Sequence, residues 1–393
     1  MQVVGSPSSR SRHAKLAGSR LARVTAVLAT IGAGAACARA APPQYQAEVL
    51  PALQGQPSVF PTAMNEAGDI IGLAASDPFD PVGAPVLYDS GGLTPLDVPP
   101  DSSLNLVMAL NDTGLIVGTS GGQAFYWQGG SPDPLPGIGA PGFGYGVNNA
   151  GEIAGSEIND LIGIEFPLYW PDTQSPGQPL QGVSMPVQGA AFAINNAGQL
   201  AGAVLSPAGF VAARWANFGV APTVIGGLDG ASLSEVLDIN AGGDLAGRSS
   251  FPDFSTEAML YDSTAAEVIG LGTLGGNYSF ARSLNDARQV VGEANANSTS
   301  HGFLWQDGEI HDLNELVVSS DIPFDYVFKA VGINNAGQIA AEVVMLDGSH
   351  RAARLTPLAA SVPAVSAPGL AVLVALLLLV GTVIVRRNAR RAP

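Results

Sequence analysis

Ile333-Asn334-Asn335-Ala336-Gly337-Gln338-Ile339 is an apolar–polar–apolar phrase that the chain writes seven times. Its copies begin at Asn65, Asn111, Asn148, Asn195, Asn240, Asn285 and Asn334, in forms such as MNEAGDIIG, LNDTGLIVG and INNAGQLAG. Short apolar runs flanking Asn and Gly mark a β-hairpin, because both residues tolerate the left-handed backbone of a tight reversal. Each asparagine therefore reads as the turn between the first and second strands of a unit. Successive asparagines are 46, 37, 47, 45, 45 and 49 residues apart, the length of a four-stranded propeller blade.

The rest of each unit supplies the other strands. A second glycine (Gly72, Gly118, Gly155, Gly202, Gly247, Gly292) is expected to end strand two or to admit a neighbouring backbone. Strand three closes on Tyr88, Trp127, Trp170, Trp215, Tyr261 and Trp305, with Leu355 in the seventh unit. Large rings at one equivalent position read as packing between blades, with a ring of sugar-stacking aromatics as the competing reading. A fourth strand precedes each next unit, as in LTPLDV from Leu93, PTVIGGL from Pro222 and EIHDLNEL from Glu309. The seventh unit lacks one, yet an orphan strand stands at Tyr45–Leu53. Placed in the last blade, that strand closes the circle and removes two exposed edges. The expected fold is thus an all-β, seven-bladed propeller over residues 44–358, with the 37-residue interval shortening a loop or costing a strand.

Composition agrees with many short strands. Among 393 residues there are 49 glycines and 29 prolines, and only 13% are charged, which disfavours a helical bundle. Charge is segregated. Residues 1–40 and 386–393 carry ten basic and no acidic groups, whereas the stretch between them sets seven basic against 33 acidic residues. Such a body repels a phosphate backbone, so nucleic acid is not an expected partner.

The two ends read as addresses. Residues 1–40 have a basic region, an apolar core from Val24 to Ala36 and Ala38-Arg39-Ala40, the layout of a secretory signal peptide. Cys37 is the single cysteine, so no internal disulfide is available, and lipidation of its thiol is an alternative to its removal with the signal. At the other end a linker (359–368) leads into an apolar segment (369–385) and a basic tail (386–393). Seventeen helical residues rise about 25 Å, the lower limit for a membrane span, and the arginines after it are expected to stay cytoplasmic. Pro363, this span and the arginine cluster beginning Arg386-Arg387 resemble PEP-CTERM and IPTL-CTERM sorting signals. Val362-Pro363-Ala364-Val365-Ser366 stands where the second group has Ile-Pro-Thr-Leu-Ser, matching at Pro363 and Ser366. The resemblance implies an exosortase-type sorting peptidase as partner, and an ordinary tail anchor is the alternative.

A second resemblance lies in the repeats. Val268-Ile269-Gly270-Leu271-Gly272-Thr273-Leu274-Gly275-Gly276, then Ala281-Arg282-Ser283-Leu284-Asn285, Val290-Val291-Gly292 and His301-Gly302-Phe303-Leu304-Trp305 are similar to the HAF extracellular repeat. Here Gly302 replaces its alanine and Arg288 its turn glycine. The resemblance implies a propeller-like exported bacterial protein.

Chemistry is sparse. His301 and His311 lie on consecutive expected strands and could face one another, but a third placed zinc ligand is missing. Glu66, Asp69, Asp112, Glu152 and Asp286 gather at the turns without the alternating ladder of a calcium loop. No helix follows the glycine-rich 270–276 to receive a phosphate, and the body has no Gly-x-Ser-x-Gly segment. The expectation is therefore no catalytic, metal or cofactor residues and no enzyme. It is instead a cell-surface or matrix binding and scaffold module, with an exopolysaccharide or surface protein as partner and the membrane reached through the C-terminal helix. The rival is a polysaccharide-active enzyme with its site at the propeller channel.

Overall fold

The computed structural model describes residues 41–359 other than 79–82, 101–103, 138–140, 160–162, 183–187 and 208. The expected signal peptide (1–40), the motif residues Val362, Pro363 and Ser366, the span and Arg386 and Arg387 lie outside the described residues.

Strand β1 (Tyr45–Val49) precedes six blades whose antiparallel strands run outward in chain order. Blade 1 is β2 (Ser58–Met64), β3 (Ile70–Ala75), β4 (Ala84–Asp89) and β5 (Gly92–Pro95). Blade 2 is β6 (Asn105–Leu110), β7 (Ile116–Ser120), β8 (Gln123–Gln128) and β9 (Ser131–Pro134). Blade 3 is β10 (Gly142–Val147), β11 (Ile153–Asn159), β12 (Ile164–Trp170) and β13 (Gln178–Pro179). Blade 4 is β14 (Gly189–Ile194), β15 (Leu200–Ser206), β16 (Gly209–Trp215) and β17 (Thr223–Val224). Blade 5 is β18 (Leu233–Ile239), β19 (Leu245–Ser250), β20 (Thr256–Asp262) and β21 (Glu267–Gly272). Blade 6 is β22 (Ser279–Leu284), β23 (Val290–Ala296), β24 (Thr299–Gln306) and β25 (Glu309–Asp312). After a single-turn helix α1 (Leu313–Leu316) and strand β26 (Val317–Ser320), blade 7 is built on β27 (Tyr326–Ile333), β28 (Ile339–Val344) and β29 (His350–Pro357).

The apolar core is layered rather than central. Seven clusters among the described residues each join adjacent blades, as where Val117 and Tyr126 of blade 2 meet Ile153, Leu168 and Trp170 of blade 3. The strand-three aromatics are the hubs of these layers and are buried, which decides for packing over sugar stacking. Their polar ends reach across the same boundary. The indole N–H groups of Trp127, Trp170 and Trp215 donate to the carbonyls of Asp97, Pro136 and Gln181 just past the fourth strand of the preceding blade, at 2.7–2.9 Å. Tyr88 donates its hydroxyl to Pro51 in the same way. A buried indole N–H left unpaired would offset much of the gain from burying its ring.

Blade 7 closes the circle with the N-terminal strand. β1 pairs antiparallel with β29, setting Tyr45, Ala47 and Val49 opposite Pro357, Leu355 and Ala353. Tyr45, Ala47 and Val49 point inward and are buried, while Gln46 and Glu48 face solvent, the alternation that fixes register. One feature differs from the sequence reading. EIHDLNEL is strand only to Asp312, whose side chain caps α1 by accepting from the Asn314 N–H. The chain then turns along the rim of blade 7 as β26, pairing parallel with β1. The closing blade has five strands, and its N-terminal strand lies second from the edge.

The short interval costs no strand. In blade 2, β7 and β8 are joined by Gly121-Gly122 alone, both at positive φ (57° and 84°), the two-residue hairpin that needs glycine.

Candidate functional site in the central channel

The first strand of every blade faces the central channel, and its two ends are built differently. At one end stand the seven asparagines, all buried. Each uses its side chain as a corner piece. Oδ1 accepts the backbone N–H four residues on, for example Gln199 to Asn195 at 3.1 Å. In every blade but the second, where that position is Leu115, one amide hydrogen goes to the side chain there, as with Asn195 to Gln199 Oε1 at 2.8 Å. The other crosses to the next blade: Asn111 donates to the Asn148 carbonyl, Asn148 to Asn195, Asn195 to Asn240, Asn240 to Asn285 and Asn285 to Asn334, at 2.8–3.2 Å. Asn65 reaches the Asn111 carbonyl at 3.3 Å, and Asn334 reaches Glu66 at 3.4 Å. A belt of amides thus runs round the whole ring, and the repeat asparagine is a joint between blades as well as a turn former.

The residue after each asparagine forms a second belt outside the first. The backbone N–H groups of Glu66, Asp112, Asn149, Ala241, Asp286 and Asn335 donate to the side chains of Asp112, Asn149, Asn196, Asp286, Asn335 and Glu66, at 2.8–3.0 Å. The belt breaks where Ala241 has no acceptor to offer Asn196. Burial pushes the Glu66 carboxyl above the usual carboxylate range, and the charges of Asp112, Asp286 and Asp238 add to the rise against the Asn335 N–H. The carboxylates weighed as calcium ligands are thus engaged in the ring's own hydrogen bonds: Asp69 and Glu152 accept from Asn65 and Asn148, and the others accept across blades.

The middle of the channel is shaped by one backbone irregularity repeated in every blade. Three residues before each asparagine the first strand bulges, so that Thr62, Met108, Tyr145, Phe192, Leu237, Arg282 and Val331 fall out of register. A bulge re-aims the side chain at its apex, and all seven line the channel's far mouth, a cavity of about 360 Å³ shared with Pro61 and Lys329. Opposite the residue before each bulge sits the second glycine in six of the blades. A Cβ there would stand 1.9–2.5 Å from a first-strand carbonyl oxygen. Of the two sequence readings the close approach holds. These glycines lie inside strand two rather than at its end.

The far mouth is chemically lopsided. Blades 3 and 4 contribute Tyr145 and Phe192, whose rings meet edge to face at 5.1 Å, with Phe143 stacked on Tyr145 at 5.3 Å. Blades 5, 6 and 7 instead carry ion pairs between strands one and two: Arg248 with Glu235 (2.7 Å), Arg282 with Glu293 (2.9 Å) and Lys329 with Glu342 (2.9 Å). In each pair the carboxylate is the more deeply buried: side-chain exposure is 31% against 19%, 30% against 10%, and 21% against 1%. The cations therefore face the solvent side. Both guanidinium groups also cover the ring of Phe280, at 4.4 and 4.9 Å. Burial opposes ionisation of Glu342, but its hydrogen bond with His350 and the charge of Lys329 hold it below the usual range. Burial pushes the Tyr278 hydroxyl, bonded to Glu293, up to about 12.

His301 and His311 do not face each other. His301 pairs with Asp312 at 2.7 Å, and the register sets His311 opposite Leu304. Sequence reasoning missed the bulge residues because their types differ from blade to blade. Their constant distance from Asn, on the channel side of a glycine with no room for a Cβ, is the signal that marks them.

No protein-family model matches the chain, and no curated protein matches it in sequence. Solved structures share its fold. A puromycin-hydrolysing peptidase of Mycobacterium tuberculosis is 12% identical with a TM-score of 0.50, over 80% of this chain and 55% of that one. YCF48 bound to a D1 peptide is 12% identical with a TM-score of 0.46, over 80% and 95% of the two chains. A TolB-type protein of Agrobacterium tumefaciens is 14% identical with a TM-score of 0.44, over 68% and 94%. At these identities the likeness is one of fold. It nevertheless overturns the expectation that the chain is not an enzyme, because a propeller of this kind forms part of a peptidase. The lack of a catalytic motif in the repeats does not exclude catalysis.

Proposed function

We propose that this chain is an exported surface or matrix propeller that binds its ligand at the Arg282–Lys329 mouth of the channel. The observation that supports this reading is the contrast between the two mouths. At the asparagine end, polar groups satisfy one another round the ring except where the outer belt breaks at Asn196. At the other end, aromatic rings and outward-facing cations line a cavity large enough for a small ligand. Function is carried where a rigid scaffold presents differing side chains.

Export and sorting rest on the terminal sequences. The signal-peptide layout of residues 1–40 supports secretion. Pro363, Ser366 and the arginines from Arg386 support recognition by an exosortase-type peptidase, with the C-terminal helix in the membrane at least until processing. The similarity of residues 268–305 to the HAF repeat points the same way, and an exopolysaccharide or a surface protein is the partner class. Screening the full chain on a glycan array, with cell fractionation alongside, tests the reading. Binding to a surface glycan and recovery outside the cytoplasm are expected. Cytoplasmic retention without glycan or surface-protein binding would contradict it. Cleavage of a bound glycan would identify a polysaccharide-active propeller.

A further inference from the structure

From the chemistry of the far mouth, and resting on the proposal that ligand binds there, we infer that the site selects a carboxylated saccharide, one or two sugar rings carrying a uronate group. In a closed ring of seven, blades 3 and 4 lie across the channel from blades 6 and 7. Tyr145 and Phe192 thus form an apolar wall opposite Arg282 and Lys329. A ligand bridging them needs a face of C–H bonds for the rings and an anionic edge for the cations, the two sides of a pyranose uronate. The cavity of about 360 Å³ holds a ligand of that size.

The charge arrangement argues for a single carboxylate rather than a polyphosphate. Arg282 already spends two of its donors on Glu293, through Nε at 3.3 Å and Nη2 at 2.9 Å. Lys329 holds its ammonium against Glu342 as an ion pair at 2.9 Å. Each keeps further donors, and because Glu293 and Glu342 lie beneath, the field at the mouth is positive only locally. Beyond it, a body with 33 acidic residues repels a long polyanion. In a chain so poor in basic groups, the two that line this cavity stand on adjacent blades.

Calorimetry on the full chain tests this with three ligands: a digalacturonate, the neutral digalactoside and an acidic dipeptide. The uronate is expected to bind at least about tenfold more tightly than its neutral counterpart. That advantage is expected to shrink when salt is raised from about 20 mM to about 500 mM. Met108→Trp, which places an indole in the channel without touching a charge, is expected to abolish binding while leaving the melting temperature near that of the wild type. Lys329→Met is expected to bring the uronate down to the affinity of the neutral sugar. Equal, salt-insensitive binding of both sugars, blocked by Met108→Trp, would overturn the uronate inference and leave the binding site standing. Binding of the dipeptide alone would overturn the saccharide class, and uronate binding that survives Met108→Trp would overturn the site. Binding of none of the three would overturn both.

Discussion

At the residue scale the asparagine of each repeat makes a local turn and a distant joint with one side chain. Asn195 is only 6% exposed and its amide serves both Gln199 and the Asn240 carbonyl. Asn195→Ala should lower unfolding free energy by about 1–3 kcal/mol in urea titration, since the groups it served lose their partners inside the protein. Asn195→Asp, nearly the same shape, should cost more, because a carboxylate then faces the Asn240 carbonyl without a proton to share. Arg288 tests the turn from the other side. It occupies the left-handed position (φ 61°) that glycine holds in the other six copies. It remains there while pairing with Asp262 at 2.9 Å and reaching Asp244 at 3.6 Å, both in blade 5. Arg288→Gly relieves strain but loses the inter-blade pair, so its melting temperature should stay close to wild type. Arg288→Val keeps the strain and loses the pair, and should melt clearly lower.

At the scale of elements, closure was legible in the sequence and its reinforcement was not. Tyr45-Gln46-Ala47-Glu48-Val49 alternates apolar and polar residues and has no strand partner nearby, which is enough to send it to the last blade. The sequence 313–320 carries no such mark. Leu313 and Leu316 are buried one helical turn apart, while Val317–Ser320 become a strand because β1 offers them an edge. Position Asn−3 was equally opaque. Thr62, Met108 and Arg282 share no chemistry, so periodic reading finds the frame and passes over the side chains that the frame presents. The outermost strands are poor templates for edge-to-edge pairing: β5 and β13 each end on proline, β9 contains two, and β13 and β17 are two residues long. Because β1 is flanked by β29 and β26, its amides should exchange with solvent as slowly as those of β28 in native-state hydrogen exchange. Deleting residues 41–50 should leave a protein that melts lower and aggregates through the bared edge of β29.

At the scale of the whole molecule, the channel couples acidity to stability. Asp238 lies in its wall, accepting from Ser283, Leu284 and Ile239, and burial still pushes its carboxyl above the ordinary value of 3.8. A folded-state value above the unfolded one means that this contribution is complete at low pH and is lost as pH rises through the folded value. Glu66 acts in the same direction. Glu342 acts oppositely: held low, it contributes above the ordinary carboxylate value and is lost as pH falls through its depressed one. The melting temperature should therefore rise on mild acidification from neutral pH and fall again in stronger acid. Asp238→Asn should shrink the first limb, leaving the part that Glu66 supplies, and leave the second unchanged.

On the proposed reading the two mouths divide the work, the asparagine end joining the blades and the bulge-lined end receiving ligand. A crystal structure of the full chain with a bound digalacturonate tests it most directly. The sugar is expected across the far mouth, its carboxylate within hydrogen-bonding distance of Arg282 or Lys329 and a ring face against Tyr145 or Phe192. A sugar seated on the belt of Glu66, Asp112 and Asp286, with the far mouth empty, would contradict it.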